Sequence, residues 1–207
     1  YNLSLAQFDT KLLLLNHKEL ARELFFQLAI RRFGCTSMCS LLGGVSVKHA
    51  ILTALNLEAI GWSEEDGDKT DISNNATQLL LSKAPLLKEY FNIVIETKPT
   101  SSIIESNNET VKDKPQGQVE AEVEVTLTCI PVLLEDHLPE PSALPVLLLR
   151  LASEVNWDHE QQCFEGIAME LANAYCELPE VVEEDNDDKQ EEKSSSSSSS
   201  SSPSPSE

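Results

Sequence analysis

The feature that most constrains the fold is a pair of helices predicted between Leu144 and Glu165, where the sequence reads LPVLLLRLASEVNWDHEQQCFE. Pro145 suits the first turn of a helix because the N–H that proline lacks has no partner there, and Ser142 is a candidate N-cap. Arg150 is the only charge before Glu154, so the first helix is predicted to be apolar around most of its circumference. Such a helix has to lie inside the protein or against a partner.

A second helix is predicted after a corner centred on Trp157. Asp158 and Gln161 have the spacing of a capping box, which marks the start of a helix. The apolar residues that follow recur at helical spacing and share one face: Cys163, Phe164, Ile167, Ala168, Leu171 and Tyr175. Two consecutive helices follow from this pattern, and no catalytic role does.

The N-terminal part is predicted to form a β-hairpin over Asn2–Leu15 and then a helix that Asn16 and Glu19 cap. The buried face of that helix is predicted to comprise Leu20, Leu24, Phe25 and Leu28. Gly34, Gly43 and Gly44 are expected to bracket a loop before a second helix at about 47–55. A third helix is predicted from about Asp71 to Phe91, with a kink or break at Pro85.

Strands are predicted on either side of a polar insertion at 98–118. Ile93–Ile95 forms the short first strand. In the second, glutamate and threonine alternate with apolar residues from Val119 to Thr128, which predicts a strand with one wet face. Pro131 favours an edge or a bulge in its continuation. The predicted fold class is α+β, with a mixed, mostly antiparallel sheet packed with about five helices in one domain at 1–178. An acidic, serine-rich, disordered linker is predicted at 179–207.

The composition argues against several classes of protein. The 207 residues carry a net charge of −20, whereas direct binding to duplex DNA needs clustered Lys and Arg, so little DNA binding is expected. The five cysteines are scattered and odd in number, which is typical of reduced thiols. The sequence has neither a long apolar run nor a signal-peptide pattern, so no membrane association is expected.

Sequence motifs for catalysis and cofactor binding are not found. The chain has no glycine-rich phosphate loop and no G-x-S-x-G elbow. Cys35, Cys39 and His49 lack the second Cys/His pair that a zinc site needs. The run Glu135–His137 resembles a general acid–base group, but charges in a loop are usually solvated. We therefore assign no catalytic, cofactor-binding or metal-binding residue.

Four blocks, in order, resemble the C-terminal domain of the eukaryotic MutL homologue 1 family, the subunit common to the MutL heterodimers of DNA mismatch repair. They are LAQFDTKLLLLNHKELARELFFQLAI from Leu5, GWSEEDGDK from Gly61, IPVLLEDHLPEPSALPVLLLRLASEVNWD from Ile130, and QCFE from Gln162. The tryptophan corner after L-x-x-E-V-N is the most specific. The insertion at 98–118 looks longer than in the family. Because the chain begins at Tyr1 instead of Met, we expect an excerpt that stops within the family's polar linker.

The resemblance implies a MutL C-terminal fold with a dimerisation part and a helical external part. It implies a nuclear, non-catalytic scaffold that pairs with a MutL-type partner carrying a metal-dependent endonuclease and docks accessory repair factors through peptide motifs. The metal motif of such partners, D-Q-H-A-x-x-E-x-x-x-x-E, does not occur in this sequence. The family's ATPase lies in a separate N-terminal domain, so no cofactor is expected in this segment.

Partner-binding residues are predicted on the apolar helix and on the alternating strand, which together have more apolar surface than a small domain needs to hide. The candidates are Leu147, Leu148, Leu151, Val123 and Val125. An alternative in which the leucines are core residues stays open. Two other functions stay open as well: an unrelated acidic adaptor domain, and an endonuclease subunit with an unusual metal site at Cys35, Cys39, His49 or His137.

Overall fold

The structure is a computed structural model that describes residues 3–99 and 123–176. Within these ranges the predicted α+β class is confirmed, with five α-helices and two antiparallel sheets. The predicted linker at 179–207 lies outside the described residues. So does the predicted insertion at 98–118, except for Lys98 and Pro99, which belong to a strand.

The chain opens with the predicted hairpin, formed by β1 (Leu3–Phe8) and β2 (Lys11–Asn16). Asp9 in the turn has a φ of 55°, a left-handed conformation that aspartate tolerates and tight hairpin turns use. Helix α1 (His17–Arg31) follows directly. The Asn16 side chain accepts a hydrogen bond from the Glu19 backbone N–H at 3.3 Å, so the predicted N-cap is confirmed.

The second sheet has the strand order β3-β5-β4, with β3 at Ser37–Ser46, β4 at Val94–Pro99 and β5 at Val123–Val132. The loop predicted at Gly43 and Gly44 is wrong, because both glycines lie inside β3, where its register against β5 shifts at a bulge. Their φ values of 80° and 78° explain why glycine occupies this bulge.

Strand β5 is the central strand of this sheet. Part of the face predicted to be exposed to water is therefore buried. Thr126 belongs to that predicted polar face, yet only 4% of it is exposed. A Cβ at Gly44 would collide with the Thr126 methyl group, so the bulge of β3 covers this residue. Pro131 lies beyond Cys129, where pairing with β4 ends, and it pairs with β3 alone, in agreement with the predicted edge position.

Four more helices complete the described fold: α2 (Val47–Ala54), α3 (Lys69–Phe91), α4 (Leu144–Ser153) and α5 (Glu160–Tyr175). Helix α3 continues through Pro85, so the predicted break does not occur. Leu80 and Leu87, on either side of the proline, are both fully buried, and this packing holds the two halves in one helix.

Two predicted helix caps are wrong. Ser142 lies in a short 3-10 helix, Pro141–Ala143, which runs directly into α4, so α4 has no side-chain cap. Asp158 does not cap α5, which begins after His159. The Asp158 backbone N–H instead donates to Asn156 Oδ1 at 3.1 Å. In both places the residue predicted to be the N-cap belongs to a turn that precedes the helix.

The core lies among α2 to α5 and the three-stranded sheet. Helix α4 packs against α2, α3 and α5, and α5 packs along α1. The apolar face predicted for α5 is confirmed, since Ile167, Leu171 and Tyr175 are fully buried. At the other end of α5, Phe164 packs against Phe33 with ring centroids 4.9 Å apart. These contacts leave the N-terminal hairpin on the outside of the described fold.

Candidate partner-binding surface

The hairpin carries four leucines on one face. Its register places Leu5 opposite Leu14 and Gln7 opposite Leu12. Residues directly opposite each other share a face, and so do alternate residues along a strand. The face therefore contains Leu3, Leu5, Leu12 and Leu14, which are 52%, 72%, 72% and 67% exposed. We call these four residues the leucine face.

The other face of the hairpin is partly covered. Ala6 and Leu15 are half-buried there, whereas Phe8, next to the turn, is 73% exposed. Ser4 Oγ lies 3.2 Å from His17 Nδ1, which connects β1 to the first turn of α1. Among the described elements, α1 makes the main contact with the hairpin. The hairpin thus has support on one side and an uncovered leucine face on the other.

Helix α1 is apolar on two sides. On the inner side Phe25 is buried, and its ring lies 5.6 Å from that of Tyr175 in α5. On the outer side Leu20 and Leu24, one turn apart, are 54% and 47% exposed. Their predicted burial is wrong, because α1 is an outer layer and no element in the described ranges covers this side. Leu28, from the same predicted face, is half-buried.

The exposure of so many leucine side chains to water is energetically unfavourable. Burying one leucine side chain contributes about 1.5–3 kcal/mol, and an isolated two-stranded hairpin is at best marginally stable. Contiguous apolar patches on a protein surface are typical of protein–protein contacts. We therefore identify two exposed apolar groups, the leucine face and the pair Leu20 and Leu24 on α1, as the candidate partner-binding surface, and call them together the hairpin–helix surface.

The five residues predicted from the sequence to bind a partner lie elsewhere. Leu148 and Leu151 are 0% exposed and Leu147 is 4% exposed, all inside the core around α4. This geometry favours the alternative left open above, in which the three leucines are core residues. On β5, Val123 is 58% exposed and Val125 is half-buried. Whether a partner touches any of the five stays a prediction.

A signal for the hairpin–helix surface was present in the sequence. Strand β2 has leucine at four successive positions, Leu12 to Leu15, so leucines must point to both sides of the hairpin. A two-stranded sheet with apolar residues on both faces needs a neighbour on each. The alternation predicts the two strands of the hairpin but not this second apolar face.

The residues considered for metal binding are dispersed in the structure. Among residues 3–99 and 123–176, no three His, Cys, Asp or Glu side chains are grouped as metal ligands would be. His137 is engaged in packing: its Nε2 lies 2.8 Å from the Tyr175 carbonyl oxygen, and its ring stacks on Phe25 at 4.8 Å. All five cysteines lie among the described residues, and no disulfide bond joins any two of them.

Two buried groups have a raised pKa. Burial raises the pKa of the Tyr175 phenol, whose hydroxyl donates a hydrogen bond to the Pro131 carbonyl. Burial also raises the pKa of the Cys163 thiol. Both groups stay protonated at neutral pH, so they contribute packing and hydrogen bonding. No helix in the described part of the chain has the length and apolarity needed to cross a membrane.

One known protein family matches the chain over a range that includes the hairpin, the core helices and the tryptophan corner. A family described as the C-terminus of DNA mismatch repair protein Mlh1 matches residues 1–206. The chain belongs to this Mlh1 family. The resemblance proposed from the four sequence blocks is thereby confirmed.

Relatives within the Mlh1 family match most of the chain. The chain is 34% identical over 175 residues to DNA mismatch repair protein Mlh1 of Dictyostelium discoideum, a match that covers 84% of the chain and 17% of that protein. It is 27% identical over 180 residues to DNA mismatch repair protein MLH1 of Saccharomyces cerevisiae, covering 87% of the chain and 20% of that protein. The chain thus spans about a fifth of the length of these relatives.

Proposed function

We propose that this chain is the heterodimerisation part of a mismatch-repair protein and that it pairs with a MutL-type partner through the hairpin–helix surface. The observation that carries the proposal is the leucine face, where four leucines on a two-stranded hairpin are more than half exposed. Membership of the Mlh1 family supports the mismatch-repair context. A stable interface buries about 800 Å² per partner, and a leucine-rich hairpin beside an apolar helix suits its centre.

In this proposal the chain is a scaffold and the partner supplies the endonuclease. The scaffold needs no metal or other cofactor of its own and acts in the nucleus, where mismatch repair of chromosomal DNA takes place. The chain's net charge of −20 favours contact with proteins over direct contact with DNA. Accessory repair factors are proposed to dock on the same domain through short peptide motifs, away from the paired surface.

The test is co-purification with a MutL-type partner that carries the endonuclease motif. The full-length protein is prepared with Leu5→Asp and Leu14→Asp together, which places two charges at the centre of the leucine face. We expect loss of the heterodimer by size-exclusion chromatography with light scattering, because a charge buried at an interface without a partner is strongly unfavourable.

Leu138→Asp is the matched control, since Leu138 is 47% exposed but lies in the loop before α4. The control should pair like the wild type. Circular dichroism of each variant shows that a lost heterodimer does not come from unfolding. Normal pairing of the folded Leu5→Asp, Leu14→Asp variant would remove the hairpin from the interface and refute the proposed surface.

A further inference from the structure

Strand β4 lies at one edge of the three-stranded sheet. It pairs with β5 on one side, and no element in the described ranges pairs with it on the other. A strand at the edge of a sheet keeps backbone N–H and C=O groups available, and another chain can add a strand there. The exposed part of β4 comprises Glu96, Thr97 and Lys98. This part of the edge is therefore accessible to a further strand.

The two charged residues of β4 lie on the same face of the strand, because alternate residues point to one side. Glu96 has no ion-pair partner among residues 3–99 and 123–176. Lys98 Nζ donates a hydrogen bond to the Gly43 carbonyl oxygen at 3.4 Å, which is longer than an ordinary bond of this kind. Both side chains are exposed, so each can take a new partner at little cost.

The order of these residues makes the strand complementary to a second copy of itself. We consider two copies of β4 that pair antiparallel about a two-fold axis. In the register centred on Thr97, Glu96 of each copy lies opposite Lys98 of the other, and the two Thr97 residues lie opposite each other. Opposite charges and paired threonines at directly opposed positions both stabilise a sheet.

The adjacent registers of the same kind lack this complementarity. A two-fold axis perpendicular to the sheet keeps the core faces of both copies on one side, so the centre of the pairing must lie on a residue. Moving the centre to Glu96 places two glutamates opposite each other, and moving it to Lys98 places two lysines opposite each other. Like charges in direct opposition are destabilising. The charges of β4 therefore favour the register centred on Thr97.

We propose that the exposed edge of β4 is a second interaction surface, through which two copies of this chain pair antiparallel with Thr97 at the two-fold axis. The two three-stranded sheets then form one continuous sheet. Only a short part of each strand is in contact, so the dimer is weak and depends on concentration. The leucine face belongs to a different sheet, so this pairing does not depend on heterodimerisation and would join two heterodimers where they form.

The test measures self-association of the full 207-residue chain by sedimentation velocity over a wide range of concentration. The parent protein and all variants carry Leu5→Asp and Leu14→Asp, so that association through the leucine face does not contribute. We expect the parent to form a concentration-dependent dimer. Glu96→Lys and Lys98→Glu should each weaken the dimer about tenfold or more, because either change turns both charge pairs into like-charge pairs.

Two further preparations restore the opposite charges. An equal mixture of the two single variants should form a mixed dimer, because a strand with two lysines then meets a strand with two glutamates. The double variant Glu96→Lys, Lys98→Glu should associate like the parent.

The matched control is Glu135→Lys, which makes the same change of charge as Glu96→Lys at an exposed residue in the loop after β5. It should leave self-association unchanged. Circular dichroism of each variant shows that a lost dimer does not come from unfolding.

Three results would overturn the proposal. The first is a parent protein that stays monomeric at every concentration, as expected if a different protein or no strand at all covers this edge. The second is a folded Glu96→Lys variant that dimerises as strongly as the parent. The third is failure of the two single variants to associate with each other, which would exclude the register centred on Thr97. None of these results bears on the leucine face, because its central residues are replaced throughout.

Discussion

Two leucine-rich segments of this chain, β2 and α4, have opposite environments. Strand β2 reads KLLLLN and helix α4 reads LPVLLLRLAS. In α4, Leu148 and Leu151 are completely buried. In β2, Leu12 and Leu14 are 72% and 67% exposed. Similar composition therefore leads to core in one place and to open surface in the other.

The number of neighbouring elements explains the difference. Helix α4 lies among α2, α3 and α5, which cover it on most sides. The hairpin has only two strands and, among the described elements, leans mainly on α1. A helix apolar on all sides and a hairpin apolar on both faces each need cover. Other helices of the chain cover α4, and we propose that a partner covers the hairpin.

The largest effect expected from this comparison is on stability. Leu148→Ala should lower the free energy of unfolding by about 2–5 kcal/mol, because it leaves a cavity in a packed core. Leu12→Ala should change it by about 0.5 kcal/mol or less, because this side chain is already mostly in water. Urea denaturation of the isolated chain, followed by circular dichroism, measures both.

Of the same two variants, Leu12→Ala should have the larger effect on formation of the proposed heterodimer. Leu12→Ala should weaken pairing with the MutL-type partner, and its effect on the monomer should be slight. If Leu12→Ala destabilised the isolated chain as much as Leu148→Ala does, the hairpin would be part of the monomer core and the contrast between β2 and α4 would be lost.

The sequence predicted most of the elements, because each depends on local chemistry. The Asn16 cap follows from a side chain and an N–H three residues apart, and the hairpin follows from alternation around Asp9. The fold class followed from patterns of the same kind, whereas the family followed from the resemblance of the four sequence blocks. Pro145 was correctly placed in the first turn of α4. In these cases the residues that decide the structure are neighbours along the chain.

The errors occur where distant parts of the chain decide the structure. In the sequence, Gly43 and Gly44 look like part of a loop. In the structure they form a bulge within β3, because β5 pairs with β3 on both sides of them. Leu20 and Leu24 have the spacing of a buried face, but α5 packs on the opposite side of α1. The predicted partner-binding site on α4 rests on the same kind of pattern and stays a prediction. Periodicity shows that a face is apolar, and the tertiary arrangement decides whether the chain covers it.

A smaller effect is expected at the junction between the hairpin and α1. Asn16→Ala should lower the free energy of unfolding by about 1 kcal/mol, because the Glu19 N–H loses its acceptor at the helix start. Asn16→Asp keeps an acceptor and should be close to the wild type. An alanine variant as stable as the wild type would show that α1 is held by its contact with α5 and not by its link to the hairpin.

The smallest effect concerns the response of two helix caps to acid. Asp68 caps α3, and hydrogen bonds from the Thr70 and Asp71 backbone N–H groups hold the pKa of its carboxyl below the ordinary value of 3.8. Its contribution to stability is therefore present above that value and is lost as the pH falls through the lower pKa of the folded state. Asn16, the cap of α1, does not titrate.

Acid should accordingly remove the contribution of the Asp68 cap to the free energy of unfolding and leave the contribution of the Asn16 cap unchanged. The stability of the wild type relative to Asp68→Asn is measured by urea denaturation between neutral pH and about pH 3. The difference should shrink in acid, whereas the difference between the wild type and Asn16→Ala should stay constant. A parallel decline of both would mean that acid loosens the whole fold, the exposed hairpin and the packed core alike.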